Sequence, residues 1–168
     1  METHPEFAER LDVKVCDLVK DEIPFEQKPD LISMIFVLSA IIPEKHQDVI
    51  KKVAEWMKPG SFFYFRDYGR YDFGQINMSN KGNRKLKDNF YMKNDGVCVY
   101  YFDQKELEEL CENVGLVKIE GSVHCRLLQN RKTGLKMYRV WVQGRFYKPP
   151  ISEYFMKKIK EEEKEEKK

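Results

Sequence analysis

Asp30-Leu31-Ile32-Ser33-Met34-Ile35-Phe36-Val37-Leu38-Ser39-Ala40-Ile41-Ile42 is the longest apolar run of the chain, with no charge after Asp30. Apolar and polar residues do not alternate along it, which argues against a strand with one wet face. It is also too short to cross a bilayer, which takes roughly 20 apolar residues. A strand buried on both faces, at the centre of a parallel sheet covered by helices, fits it; a buried core helix is the competing reading. The flanks favour the strand. Pro43-Glu44-Lys45 suits the first turn of a helix. Val49, Ile50, Val53, Trp56 and Met57 then recur at helical spacing, and Lys58-Pro59-Gly60 ends the stripe. Ser61-Phe62-Phe63-Tyr64-Phe65 follows as an aromatic strand, so the order strand–helix–strand predicts a right-handed βαβ unit.

Upstream, Val13-Lys14-Val15-Cys16-Asp17-Leu18 alternates briefly and predicts a short strand ending at Asp17, followed by a loop or broken helix through Pro24 and Pro29. Downstream, residues 66–87 are polar and rich in Gly, Asn and Arg, and predict a long loop of functional character. Asn89 to Lys93, the turn Asn94-Asp95-Gly96 and Val97 to Phe102 predict a β-hairpin. Asp103 with Glu106 predicts a capping box, Leu107, Leu110, Cys111 and Val114 the buried stripe of its helix, and Gly115 its end. Leu116 to Leu128 and Leu135 to Phe146, joined by Asn130-Arg131-Lys132-Thr133-Gly134, predict a closing antiparallel pair. The expected domain is 1–150, and 151–168 an added Lys/Glu-rich tail that is solvated or transiently helical.

With 168 residues the chain suffices for one domain with a real core. Its net charge of +2 announces no nucleic-acid binder, although a local basic face is compatible with it. Cys16, Cys98, Cys111 and Cys125 have no C-x-x-C spacing and read as buried free thiols in a reducing compartment. No Cys or His cluster has the spacing of metal ligands, so no metal is expected, and His4, His46 and His124 suggest no catalytic order. The polar N-terminus does not read as a secretory signal. Cytoplasm, or nucleus, is the expected place, with no membrane association.

A mostly parallel sheet closed by an antiparallel hairpin is the pattern of the seven-stranded Rossmann-like methyltransferase sheet. Ligands in such α/β sheets bind beyond the carboxyl ends of the strands. Here Cys16-Asp17-Leu18, Ile35-Phe36-Val37-Leu38-Ser39-Ala40, Lys58-Pro59-Gly60, Phe65-Arg66-Asp67-Tyr68-Gly69-Arg70-Tyr71-Asp72, Asn89-Phe90-Tyr91, Asp95-Gly96, Tyr101-Phe102 and Met137-Tyr138-Arg139-Val140-Trp141-Val142-Gln143-Gly144 occur in order. Together they resemble the tRNA N3-methylcytidine methyltransferases of the methyltransferase-like group, from about His4 to Pro150. The resemblance implies an α/β fold holding strands three to seven of that sheet. It implies S-adenosylmethionine as cofactor, tRNA as substrate with N3 of an anticodon-loop cytidine as methyl acceptor, and in some members an accessory tRNA-recognition protein. The family's Gly-rich loop after strand one has no counterpart, because no G-x-G run occurs in the sequence. The chain therefore looks like the C-terminal half or so of such an enzyme. A non-catalytic RNA- or protein-binding remnant is the alternative.

By that resemblance Asp17 meets the adenine end of the cofactor and Ile35 borders it; a strand-end turn former and a plain core residue are the structural alternatives. Arg66, Asp67, Tyr68, Arg70 and Tyr71 follow strand five, where substrate enters this fold. Tyr68 or Tyr71 would stack on a splayed-out base and Arg66 or Arg70 would hold phosphate. The alternative is an Arg66–Asp67 structural pair with packed tyrosines. Arg84, Lys85 and Lys87 form a basic cluster near Tyr91 and Lys93, and Arg126, Arg131, Lys132, Arg139, Arg145 and Lys148 add charge around the last hairpin. These read as one RNA-facing side or as ordinary solubilising charge.

Overall fold

The computed structural model describes residues 10–150; the expected Lys/Glu tail lies outside them. A four-stranded sheet runs in the order β1-β2-β7-β6, with β1 Leu31–Ile35, β2 Phe62–Tyr68, β6 Val117–Gln129 and β7 Lys136–Tyr147. A smaller antiparallel sheet, β3-β4-β5, comprises Lys85–Lys87, Phe90–Met92 and Cys98–Tyr100. The helices are α1 His46–Trp56, α2 Phe73–Ser79 and α3 Gln104–Glu112.

The apolar run is a strand only as far as Ile35. Phe36 then takes φ 56°, and Leu38–Ala40 form a short 3-10 turn. β1 pairs parallel with β2 from Leu31↔Phe62 to Ile35↔Arg66, which completes the expected βαβ unit through α1. β2 pairs antiparallel with β7, and β7 with β6, so only one of the three pairings is parallel and the expected mostly parallel sheet is corrected. β1 is also not buried on both faces. Leu31 and Ile35 are about half exposed, at 54% and 53%, because β1 is an edge strand of the described sheet.

Three further expectations change. Residues 13–18 form no strand: Val13 and Val15 are exposed, and no described neighbour offers their backbone a ladder. Instead Asp17 opens a turn, and the segment lies along α1 through Lys52 Nζ, which donates to the Leu18 carbonyl at 2.9 Å. Residues 66–87 are not a loop; β2 runs on to Tyr68, and α2 and β3 follow. The four cysteines are free, but only Cys111 is buried. The hairpin β4–β5, the capping box of α3, its end at Gly115 with φ 81° and the β6–β7 pair all form as expected.

One face of the sheet carries the core. Phe63, Phe65, Val142 and Phe146 point into it, against Val49, Ile50 and Val53 of α1 and Leu107 and Cys111 of α3. Phe102 binds the two sheets together: its N–H donates to the Tyr68 carbonyl at 2.8 Å, and its own carbonyl accepts from Arg70 N–H at 2.9 Å. The same joint sets Tyr101 beside the end of β2, where the functional candidates lie.

Candidate nucleotide pocket and its neighbours

A cavity of about 390 Å³ opens beyond the carboxyl end of β2. Tyr68, Phe73 and Tyr101 give it aromatic surface, α2 adds Gly74, Asn77 and Met78, and β7 adds Met137 and Arg139. Lys81, Arg84 and Lys93 stand on its rim beside Asn94 and Asp95. Its size falls within the roughly 300–1,000 Å³ of ordinary small-ligand sites.

Asp72 organises this cavity. The residue is fully buried and caps α2 by accepting from Gly74 N–H at 2.8 Å through Oδ1. Its Oδ2 accepts from Arg139 Nε at 2.8 Å and from Val140 N–H at 2.9 Å. One carboxylate thus ties the turn after β2, the start of α2 and strand β7. It also fixes the Arg139 guanidinium, which lies 5.7 Å from the Tyr68 ring centre and 5.9 Å from that of Trp141, within cation–π range. Burial pushes the Tyr101 hydroxyl well above its ordinary value, and the Asp72 charge adds to the shift. Tyr101 is therefore a neutral phenol in this wall. A Cβ at position 74 would lie 2.8 Å from the Tyr101 hydroxyl oxygen, so any larger residue there would have to displace that ring.

The residues singled out in the sequence divide among several places. Tyr68 lines the cavity, 4.9 Å from the Phe36 ring and 6.0 Å from the Tyr101 ring. Phe36 N–H donates to the Arg66 carbonyl at 2.9 Å, which holds a conformation costing a bulky residue about 1–2 kcal/mol. Arg66 points to the opposite side of the strand from Asp67. It donates to Gln143 Oε1 at 3.2 Å, stacks 4.9 Å above Trp141, and lines a second cleft of about 260 Å³ with Ile35, Tyr64 and Arg145. Asp67 is fully buried on the core side. Its Oδ2 accepts from Ser39 N–H and its Oδ1 from Tyr68 N–H, both at 2.9 Å, so no Arg66–Asp67 pair forms. Burial raises the Asp67 carboxyl, and these hydrogen bonds partly counter it.

Arg70 is engaged by Glu106 at 3.1 Å, the same carboxylate that completes the α3 capping box and accepts from the Tyr100 hydroxyl. Tyr71 stands out into solvent at 77% exposure with φ 67°, its N–H donating to Gln75 Oε1 at 2.6 Å. Asp17 is exposed. Its Oδ1 accepts from Val19 N–H at 3.0 Å and its Oδ2 pairs with Lys20 at 3.2 Å, and these two contacts hold it below the usual carboxylate range. Asp72, Tyr101 and Lys81 carry no role in the sequence reading. The one local signal is that Asp72 directly precedes the run that forms α2.

A sequence model for the methyltransferase domain matches residues 4–120, well over half of the chain. The chain belongs to the methyltransferase domain family. This methyltransferase domain is 46% identical over 138 residues to a chicken protein named tRNA N(3)-cytidine methyltransferase METTL2, covering 80% of the chain and 37% of that protein. It is 45% identical over 143 residues to the Drosophila melanogaster tRNA N(3)-methylcytidine methyltransferase Mettl2, covering 83% and 43%. A Dictyostelium discoideum relative, 39% identical over 144 residues and covered to 33%, is named O-methyltransferase 3. The chain thus spans less than half the length of these curated relatives. Among solved structures, a SAM-dependent methyltransferase from Methanosarcina mazei superposes with a TM-score of 0.58 at 19% identity, covering 82% of this chain and 67% of that one. That likeness extends the Rossmann-like fold to this methyltransferase domain. Among the described residues, no helix is long and apolar enough to cross a membrane, and no group of three or more His, Cys, Asp or Glu could hold a metal ion.

Proposed function

We propose that this methyltransferase domain belongs to an S-adenosylmethionine-dependent tRNA methyltransferase that forms N3-methylcytidine in the anticodon loop. One observation carries the reading: an aromatic pocket with a fixed guanidinium lies beyond the carboxyl end of β2, in a chain about 45% identical to METTL2 proteins over most of its length. Ligands of open α/β sheets lie at that end of the strands.

Asp17 and Ile35 suit the adenosine end of the cofactor. The Asp17 carboxylate is ionised, and its oxygens keep lone pairs for an exocyclic amine. Ile35 offers apolar surface at the carboxyl end of β1. No G-x-G run is present in the sequence to cradle the carboxypropyl end. When bound, the cofactor supplies an electrophilic methyl on its sulfonium. The residues of the chain hold the acceptor. Neutral cytosine already carries an in-plane lone pair on N3, so the reaction needs an unstacked, aligned base more than a strong general base. Tyr68 supplies a stacking surface, and Arg139, anchored by Asp72, supplies donors that suit the carbonyl of a base. Arg66 and Arg70 are already engaged with Gln143 and Glu106, so the reading gives them no phosphate to hold, and Tyr71 stands in solvent outside the cavity lining, so it gives Tyr71 no contact with the base. The reading puts the protein in the cytoplasm or nucleus, in keeping with its four free cysteines, and leaves room for an accessory tRNA-recognition protein.

A second reading is a non-catalytic RNA- or protein-binding relative, for which the aromatic pocket and the cations at its mouth would suffice. The full chain titrated with S-adenosylmethionine by calorimetry, then incubated with labelled cofactor and tRNA, separates the two. Micromolar binding and N3-methylcytidine in the nucleoside digest are the expected results. RNA binding with no heat from the cofactor and no methylated cytidine would leave the second reading. Loss of both would overturn the tRNA assignment.

A further inference from the structure

The basic cluster that looks uniform in sequence is split by the fold. Lys85 pairs with Asp88 at 2.6 Å, and Lys87 pairs with Glu44. Neither lines the cavity. Lys81, Arg84 and Lys93 do, although they come from three separate segments: the turn after α2, the residue before β3 and the residue after β4. Their own ties leave charge free. Arg84 donates one guanidinium nitrogen to the Lys93 carbonyl at 3.3 Å, Lys93 has a loose 3.7 Å contact with Asp95, and Lys81 makes no ion pair among the described residues. Asp95 is the one exposed acid on the rim, and Val97 N–H already donates to its Oδ1. Three cations therefore face one mouth, and the wall behind them is Tyr68, Phe73 and Tyr101. Aromatic surface inside with cations at the mouth is the chemistry that accepts a splayed nucleotide, since the base stacks and its phosphodiesters stay at the entrance.

We propose that Lys81, Arg84 and Lys93 form a phosphodiester seat that grips the RNA backbone on either side of the nucleotide in the pocket. This rests on the tRNA reading above. The seat explains how a chain of net charge only +2 engages a polyanion, because the useful charge is gathered at one opening. It also accounts for the α2–β3–β4 segment, which carries cations to a site that β2 and β7 alone would leave apolar and uncharged apart from Arg139.

The salt dependence of binding reads out phosphate contacts directly. Each neutralised phosphate of a single strand adds about 0.7 to the slope of log affinity against log salt. The full chain is titrated with an anticodon stem-loop RNA by fluorescence anisotropy across a range of salt. Lys81→Ala, Arg84→Ala and Lys93→Ala are each expected to flatten the slope by about 0.7 and to weaken binding several-fold at low salt. Lys85→Ala and Lys87→Ala should leave the slope unchanged, and Arg84→Lys should restore most of what Arg84→Ala removes. Thermal melts of each variant exclude a loss of fold as the cause. Rim variants with an unchanged slope, or rim and outward variants with equal losses, would overturn the seat while leaving the tRNA reading intact. A chain that binds no RNA at any salt would overturn both.

Discussion

Asp67 and Asp72 bracket the exit of β2, and their surroundings give them different work. Asp67 faces the core, where each of its oxygens accepts one backbone N–H, from Ser39 and from Tyr68. It thereby pins the 3-10 turn after β1 to the end of β2. An amide in its place can accept at only one oxygen and would set an N–H₂ against the other donor. Asp67→Asn is therefore expected to lower stability by about 1–3 kcal/mol in urea unfolding, with RNA binding retained once the variant is folded. Asp72 joins elements far apart in sequence, reaching Arg139 and Val140 across 67 and 68 residues. Asp72→Ala removes three hydrogen bonds at once and strands a half-buried guanidinium. A loss of about 3–5 kcal/mol is expected. Arg139→Lys, which keeps the charge but not the Nε contact, should retain more stability and still loosen the pocket wall. It should weaken binding of an anticodon stem-loop with little change in salt slope, since the lost interaction is with a base rather than a phosphate.

At the scale of the element, α1 carries a pH-sensitive start. His46 is buried there between Tyr100 and Phe102, with ring centres 5.0 and 5.1 Å away, and its Nε2 lies 3.0 Å from the Ile41 carbonyl. Burial pulls its pKa below 6.5, although that carbonyl and the Glu106 and Glu44 charges oppose the shift. Below 6.5 the unfolded chain therefore binds the proton more readily than the folded one. The stabilisation is full above pH 6.5 and is lost as pH falls through the lowered folded value. Unfolding free energy should decline on going from pH 7 to pH 5, and His46→Gln, a polar residue able to donate to Ile41, should flatten that decline. Elements whose signals are local are legible in the sequence. Asp103 and Glu106 announce α3 within four residues, and Asn94-Asp95-Gly96 announces the hairpin. Helix α2 is not legible, because Phe73-Gly74-Gln75-Ile76-Asn77-Met78-Ser79 has no apolar stripe and is capped by a side chain held from β7. Residues 13–18 have the alternation of a strand, but a strand also needs a partner, and no alternation reveals whether one exists. The pocket is half legible for the same reason. Tyr68 sits in a recognisable string, whereas Tyr101 and Lys81 reach the cavity only through the joint at Phe102 and the turn of α2.

At the scale of the whole molecule, the sheet is covered unequally. Helices α1 and α3 bury one face, while Leu31, Ile35, Phe62 and Tyr64 on the other remain exposed to between a third and a little over half of their surface. Among the described residues no strand pairs with the outer edge of β1, and that edge, Leu31-Ile32-Ser33-Met34-Ile35, carries no charge to discourage pairing. An uncharged open edge, flanked by the exposed apolar side chains Leu31, Ile35, Phe62 and Tyr64, is a template for another chain. The isolated chain is therefore expected to self-associate as its concentration rises through the micromolar range, and to melt broadly and at modest temperature. Sedimentation velocity over a concentration series checks the first expectation and calorimetry the second. Ile35→Lys places a charge at the exposed end of the edge, where its stem can still lie along the sheet. It should suppress association without loss of the fold, since Ile35 lies outside the main core cluster. A chain that stays monomeric at high concentration and melts sharply at high temperature would mean that the open face is tolerated as it stands, and that the core between the sheet and α1 and α3 suffices to hold the fold.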